Sequence, residues 1–345
     1  MASVLINRND LPILIENYAK INSTFRILGV YQMKGNANGF VYDFILNGKK
    51  CAIKVYYKQK ETKILPDGKN IEQSNLLIDY IKEHSLNPNI ATTQIVFPAS
   101  SDFCENIKNY FTIIYPESIK IEVKNNNYIF VGYNQDRLNI HQYKDKVMIQ
   151  GKPLYVFGLV INYIAENSDI ELEQFSNLMC ENLDVNMPFA AVRERMEILL
   201  GKSYEYIDEA IRKTLSSSIV MLVKHRNDFL EDYSGCVTGA FKTLEGYLKK
   251  ILKYKYGYKF NRAATFDMFD SKNCTLKPGY IKCGKQEEKQ LCALYKLFCN
   301  KRNAYLHAKI NPSMTSVIPS YMDAESIFME IVSTIKTSYE VFFGD

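Results

Sequence analysis

Lys63-Ile64-Leu65-Pro66-Asp67-Gly68-Lys69, followed by Leu76-Leu77-Ile78-Asp79-Tyr80-Ile81-Lys82-Glu83, returns 83 positions later. There it reads Lys146-Val147-Met148-Ile149-Gln150-Gly151-Lys152, followed by Leu159-Val160-Ile161-Asn162-Tyr163-Ile164-Ala165-Glu166. In both copies short runs rich in β-branched and aromatic residues come first, and an apolar helix closes the copy. Asn38-Gly39 and Asn47-Gly48 supply hairpin signals in the first copy. The pattern predicts two related α+β units, at about residues 1–90 and 91–182, each a curved antiparallel sheet backed by a helix. Two copies are too few for a solenoid.

Beyond the repeat the periodicity becomes helical, and a third, all-helical unit is expected over residues 183–345. Phe189, Val192, Met196 and Leu199 keep helical spacing, as do Leu215, Ile219, Leu222 and Val223. The clearest stripe, Val237, Ala240, Phe241, Leu244, Leu248, Ile251 and Leu252, predicts a helix over 235–254. Residues 255–284, with Gly257, Pro278, Gly279 and Gly284, read as a loop. A second helix starts near Gln286 with Leu291, Leu294, Tyr295 and Phe298 on one face, and a last one carries Ile327 to Phe342.

A chain of 345 residues, 47% of them hydrophobic, is long enough for two or three cores. Its eight cysteines form no CxxC pair and only four histidines accompany them, so no structural zinc and no cofactor are expected. No secretory leader or bilayer-spanning run is apparent, which predicts a cytoplasmic protein with unpaired thiols. The net charge of +5 is unevenly spread: residues 1–199 carry 21 Lys+Arg against 22 Asp+Glu, residues 200–310 carry 21 against 11. A basic concentration of this kind attracts polyanions; the plainer alternative is a solvated lysine-rich surface.

The basic segment ends in Lys301-Arg302-Asn303-Ala304-Tyr305-Leu306-His307. Arginine offers a permanent planar fork for phosphate oxygens and histidine exchanges a proton near neutral pH, a combination suited to breaking RNA without a metal. Arg302 continues the apolar stripe of Leu291, Leu294, Tyr295 and Phe298, an address that demands a carboxylate or a phosphate opposite it. Glu245, at the edge of the 235–254 stripe, is the candidate carboxylate, with Lys242 on the same face. His307 lies five residues from Arg302, roughly 140° around an ideal helix, so the two converge only if the helix ends or distorts, or across a dimer. An R-x4-H string by itself also arises by chance.

A second feature is the run from Lys249 to Phe260, in which Lys249, Lys250, Lys253 and Lys255 alternate with Tyr254 and Tyr256. Such cations contact phosphates and such rings stack on unpaired bases. The alternative is a helix end whose tyrosines pack inward while the lysines stay in water. There is no GxxxxGK[ST], HExxH or GxSxG signature.

These residues carry a family resemblance. The basic, helical R-x4-H segment resembles the HEPN ribonuclease superfamily. The whole chain more closely resembles the RnlA (RNase LS) toxin family of type II toxin–antitoxin systems, through Met148-Ile149-Gln150-Gly151-Lys152-Pro153-Leu154, Thr243-Leu244-Glu245-Gly246-Tyr247-Leu248-Lys249 and Arg302 to His307. The resemblance implies an α+β chain: two tandem TATA-binding-protein-like α+β domains followed by an all-α HEPN domain that dimerises and receives a cognate antitoxin. It implies a catalytic Arg302, His307 and Glu245. Lys242 stands where the family can have arginine, and Asp232 matches a further acid more loosely. Asn303 belongs with the RNA-binding residues. The implied activity is a metal-independent endoribonuclease acting on mRNA through its own 2′-hydroxyl, silenced by the antitoxin and serving anti-phage defence. Two alternatives stand beside it: a non-catalytic helical dimer that binds nucleic acid or a protein partner, and an interaction module in which Arg302 only neutralises Glu245.

Overall fold

The computed structural model describes residues 2–4, 6, 10–36, 38–57, 62–85, 90–132, 136–228, 230, 232–260, 266–302, 305 and 316–344. The repeat appears as two five-stranded antiparallel sheets that follow the same path. In the first, β1 (Ala2–Val4), β2 (Arg26–Gln32), β3 (Gly39–Leu46), β4 (Lys49–Tyr57) and β5 (Thr62–Asp67) stand in the order β1-β5-β4-β3-β2. Helix α1 (Asp10–Ile21) joins β1 to β2, and α2 (Ile71–His84) follows β5. In the second, β6 (Thr93–Pro98), β7 (Lys120–Lys124), β8 (Asn127–Val131), β9 (Arg137–Gln142) and β10 (Lys146–Gly151) stand in the order β6-β10-β9-β8-β7. Helix α3 (Phe103–Ile114) joins β6 to β7, and α4 (Tyr155–Asn167) follows β10.

Local chemistry explains the shared path. The β3–β4 hairpin turns on Asn47 and Gly48, both left-handed (φ 53 and 74), and β7–β8 turns on Asn125 and Asn126 (φ 49 and 61). Two consecutive positive φ values give the type I′ turn whose twist matches antiparallel strands. Asn38-Gly39 falls instead at the entry of β3, after a turn in which Gly35 has φ 76. Alternation then sends Cys51, Ile53 and Val55 of β4, and Val147 and Ile149 of β10, inward.

The remainder is helical: α5 (Leu172–Asn182), α6 (Phe189–Leu200), α7 (Ser203–Tyr206), α8 (Glu209–Lys224), α9 (Ser234–Tyr254), α10 (Lys285–Leu297) and α11 (Tyr321–Phe343). A short hairpin, β11 (Phe269–Asp270) with β12 (Thr275–Leu276), occupies part of the region expected to be loop. The helix that α10 begins does not run on regularly: Phe298–Arg302 forms a π turn.

The buried hydrophobics fall into two clusters, one from Val4 to Ile81 and one from Ile90 to Phe342. The second sheet therefore shares its core with the helices. Helix α4 makes the junction, buried at every position from Tyr155 to Ala165 and packed against β9, α8 and α9. Glycines permit the close crossings. A Cβ on Gly158 would lie 2.7 Å from the Gly235 carbonyl oxygen, and one on Gly239 would lie 2.0 Å from that of Thr214. Among the described residues, no helix is long and apolar enough to cross a membrane.

Candidate active site

Helix α9 carries the centre of the site because its apolar stripe orients it against the core. Leu244, Leu248 and Leu252 are buried, and the residues at the stripe's edge, Lys242, Glu245 and Lys249, come out on one flank. The π turn brings Arg302 to that flank. Its Nη2 lies 3.7 Å from Glu245 Oε2, and its guanidinium lies 5.2 Å from the Phe298 ring centroid. Lys249 Nζ donates to Glu245 Oε1 at 2.6 Å, and Lys242 Nζ lies 3.9 Å from Oε2. The Lys242, Glu245 and Arg302 side chains are only 12%, 14% and 12% exposed.

Two further groups reach this cluster from the second sheet's unit. Lys242 Nζ donates to Tyr110 Oη of α3 at 3.0 Å and lies 3.4 Å from Glu166 Oε2, in the last turn of α4. Three cations thus surround two carboxylates. Burial alone would push the Glu245 carboxyl up, but Lys242, Lys249 and Arg302 outweigh it and hold it at about 2. Burial works to lower Lys242, and Glu166 and Glu245 overcome it, so the ammonium stays charged well beyond the ordinary lysine range. The result is a partly desolvated, net-positive constellation in which each cation has a carboxylate partner, an arrangement compatible with preorganised stabilisation of a phosphoryl charge.

The other expected residues are divided by the fold. His307 and Asn303 lie outside the described residues. Asp232 sits near the opposite end of α9, where its Oδ1 accepts from the Ser234 amide at 2.8 Å and the Ile318 amide at 3.1 Å. Roughly 20 Å of helix, at 1.5 Å per residue, separates it from Glu245. It ties the helix start to the segment before α11. Burial raises its carboxyl.

Of the lysine–tyrosine run, Lys249 faces Glu245, whereas Lys250 pairs with Asp208 and lies 4.9 Å from the Tyr206 ring centroid. Lys253 lies 4.8 Å from the Tyr254 ring, which is 65% exposed. Lys255 pairs with Glu287 at 2.9 Å and donates to the Phe342 carbonyl at 2.6 Å, with Tyr256 packed edge-on to Phe342. These last two staple α9 to α10 and α11. The run is thus not one surface: its middle is open and its ends are committed to the fold.

Glu166 and Tyr110 were not among the expected site residues. Glu166 had one visible signal, its position as the last residue of the second repeat copy. Among the described residues no group of three or more His, Cys, Asp or Glu side chains is placed to hold a metal ion.

Comparison with known proteins gives this constellation its context. The family described as "RNase LS, bacterial toxin" matches residues 60–169, and the one described as "RNase LS, bacterial toxin DBD domain" matches residues 190–309, the stretch that includes Lys242, Glu245, Lys249, Arg302 and His307. The chain belongs to the RnlA (RNase LS) bacterial toxin family. Among solved structures, the toxin LsoA of Escherichia coli, crystallised in complex with the T4 phage antitoxin Dmd, is similar at 21% identity, covering 73% of this chain and 99% of that one with a TM-score of 0.40. No curated protein matches.

Proposed function

We propose that this toxin is a metal-independent endoribonuclease, and the observation that carries the proposal is the Arg302–Glu245–Lys242–Lys249 cluster. In this reading residues 183–345 form a HEPN-type unit, and residues 1–90 and 91–182 are tandem TATA-binding-protein-like units. The substrate's 2′-oxygen attacks the adjacent phosphorus while the bond from phosphorus to the 5′-oxygen breaks. His307 takes the proton from the 2′-hydroxyl or returns one to the leaving 5′-oxygen. Arg302 neutralises charge growing on the phosphorane oxygens. Glu245, ionised across the working pH range, orients Arg302 and Lys249. The products are a 2′,3′-cyclic phosphate and a 5′-hydroxyl. Lys253 and Tyr254 form the open face suited to the incoming strand, with Lys250 beside them held by Asp208.

The proposal includes mRNA as the substrate, a homodimer formed through the helical unit, a role in anti-phage defence, and a proteinaceous antitoxin of the kind the LsoA structure contains. An end-labelled single-stranded RNA incubated with wild type, His307→Ala and Arg302→Ala in excess EDTA tests the chemistry. Cyclic-phosphate ends from wild type, with a loss of about 10²-fold or more in each variant, are expected. Cleavage by His307→Ala at the wild-type rate overturns the reading. The Arg302–Glu245 contact also favours a second reading, in which the pair only neutralises charge inside the fold. That reading requires Arg302→Ala to destabilise the protein without any separate loss of activity, because Glu245 then keeps only Lys242 and Lys249 to offset its burial.

A further inference from the structure

The Lys242 ammonium has three N–H bonds, and three oxygens stand around it: Tyr110 Oη at 3.0 Å, Glu166 Oε2 at 3.4 Å and Glu245 Oε2 at 3.9 Å. The two nearer ones come from the second α+β unit. The farthest belongs to the carboxylate that also faces Arg302, through the same Oε2 atom, while its Oε1 is occupied by Lys249. We propose that Glu166 and Tyr110 are positioning residues of the ribonuclease centre: they hold Lys242 back from Glu245 so that Oε2 stays directed at Arg302. The inference rests on the nuclease reading above.

The physical case is a competition. A lysine ammonium on a flexible stem moves to the strongest acceptor within reach, and a charged hydrogen bond to a carboxylate is about twice as strong as a neutral one. With Glu166 neutralised, Glu245 is the one remaining carboxylate beside Lys242. The lysine then closes on Oε2 and displaces the guanidinium. The cluster also goes from three cations against two carboxylates to three against one, which binds a phosphate more tightly without orienting it. Tighter ground-state binding with poorer transition-state alignment lowers kcat and does not raise KM. A residue that merely stabilises the fold has no reason to produce that split.

The repeat supplies an internal control. Glu83 of α2 occupies the position equivalent to Glu166, is exposed, and has no ion-pair partner among the described residues. The two glutamates share a register and differ in what faces them.

The deciding experiment compares Glu166→Gln, Tyr110→Phe and Glu83→Gln in the full chain, each also combined with Lys242→Met, in RNA cleavage and in acylation of Lys242 by acetic anhydride read by mass spectrometry. Glu166→Gln should lower kcat about tenfold with KM equal or smaller, Tyr110→Phe should lower it less, and Glu83→Gln should leave both unchanged. In the Lys242→Met background neither Glu166→Gln nor Tyr110→Phe should cost anything further, since two residues acting through a third are non-additive with it. Loss of a carboxylate beside the ammonium should also speed Lys242 acylation at alkaline pH about tenfold. Tyr110, Tyr115, Glu166 and Glu245 are the groups that set that titration. Independent, multiplicative losses, or unchanged cleavage in Glu166→Gln, overturn the positioning role. If wild type itself leaves RNA intact, the nuclease reading fails, and the acylation rates still decide whether Glu166 holds Lys242.

Discussion

Helices α2 and α4 close two copies of the same strand path and have opposite surroundings. Helix α2 buries Ser74, Leu77, Ile78 and Ile81 on one face and leaves Leu76 51% exposed. Helix α4 is buried all round from Tyr155 to Ala165, with the sheet on one side and α8 and α9 on the other. The first copy keeps a core of its own, while the core of the second is continuous with the helices that carry the site. A duplicated unit has thus been divided by packing alone into a self-contained body and a part of the helical core.

The contrast is breakable, and the largest effect should come from the core of the first copy. Leu77→Ala removes a fully buried side chain and should destabilise that unit by about 2–5 kcal/mol. Denaturant titration should show one early transition moving and the later one unmoved. A single shifted transition would mean the two cores unfold together. Next, Gly158→Val forces side-chain atoms onto the Gly235 carbonyl and should cost the larger core about 1–3 kcal/mol, whereas Asn75→Val, at the equivalent position of α2, should change little.

A smaller effect should appear with pH. Asp136 accepts from the Val156 amide at the start of α4 at 2.7 Å, and burial, helped by Asp232 nearby, pushes its carboxyl from an ordinary 3.8 up to about 7. The folded form therefore binds the proton more tightly. Its contribution to stability is complete below about 3.8 and is lost as pH rises through about 7. Stability of the larger core should show this falling component between pH 4 and 7, and Asp136→Asn should flatten it in pH-dependent melts. Smallest of all, Lys253→Ala removes an exposed side chain whose charge lies over the open Tyr254 ring and should alter the melting free energy by less than about 0.5 kcal/mol. A clear reduction in RNA affinity by the same change would sharpen the division of the basic run.

Periodicity made the repeat and the long helices legible. The 83-residue offset carries β5 and α2 onto β10 and α4, and the stripe predicted over 235–254 is α9 at 234–254. Helices α1 and α3 were hidden between strands, although Leu11, Ile15 and Tyr18, and Phe103, Ile107 and Phe111, keep helical spacing. The β11–β12 hairpin is too short for an alternation to register. For the site, Arg302 meeting Glu245 was readable because a cation on an apolar stripe demands a counter-charge. The shares of Glu166 and Tyr110 were not, since each arises where the second sheet's unit packs against α9, a juxtaposition that no local pattern encodes. Asp232 shows the converse: a carboxylate near a helix start in sequence is equally well explained by the amides it accepts from.

The burial of α4 on two sides has a consequence for synthesis. A chain emerging from the ribosome completes the second sheet well before residues 209–254 exist to cover the far flank of α4. Until then that flank is an exposed apolar surface, and Lys242, Glu245 and Arg302 are absent or unplaced. The core closes only when α11, residues 321–343, packs against α9 and α10. The order of translation therefore leaves the Arg302–Glu245 cluster unassembled until nearly the whole polypeptide has been made.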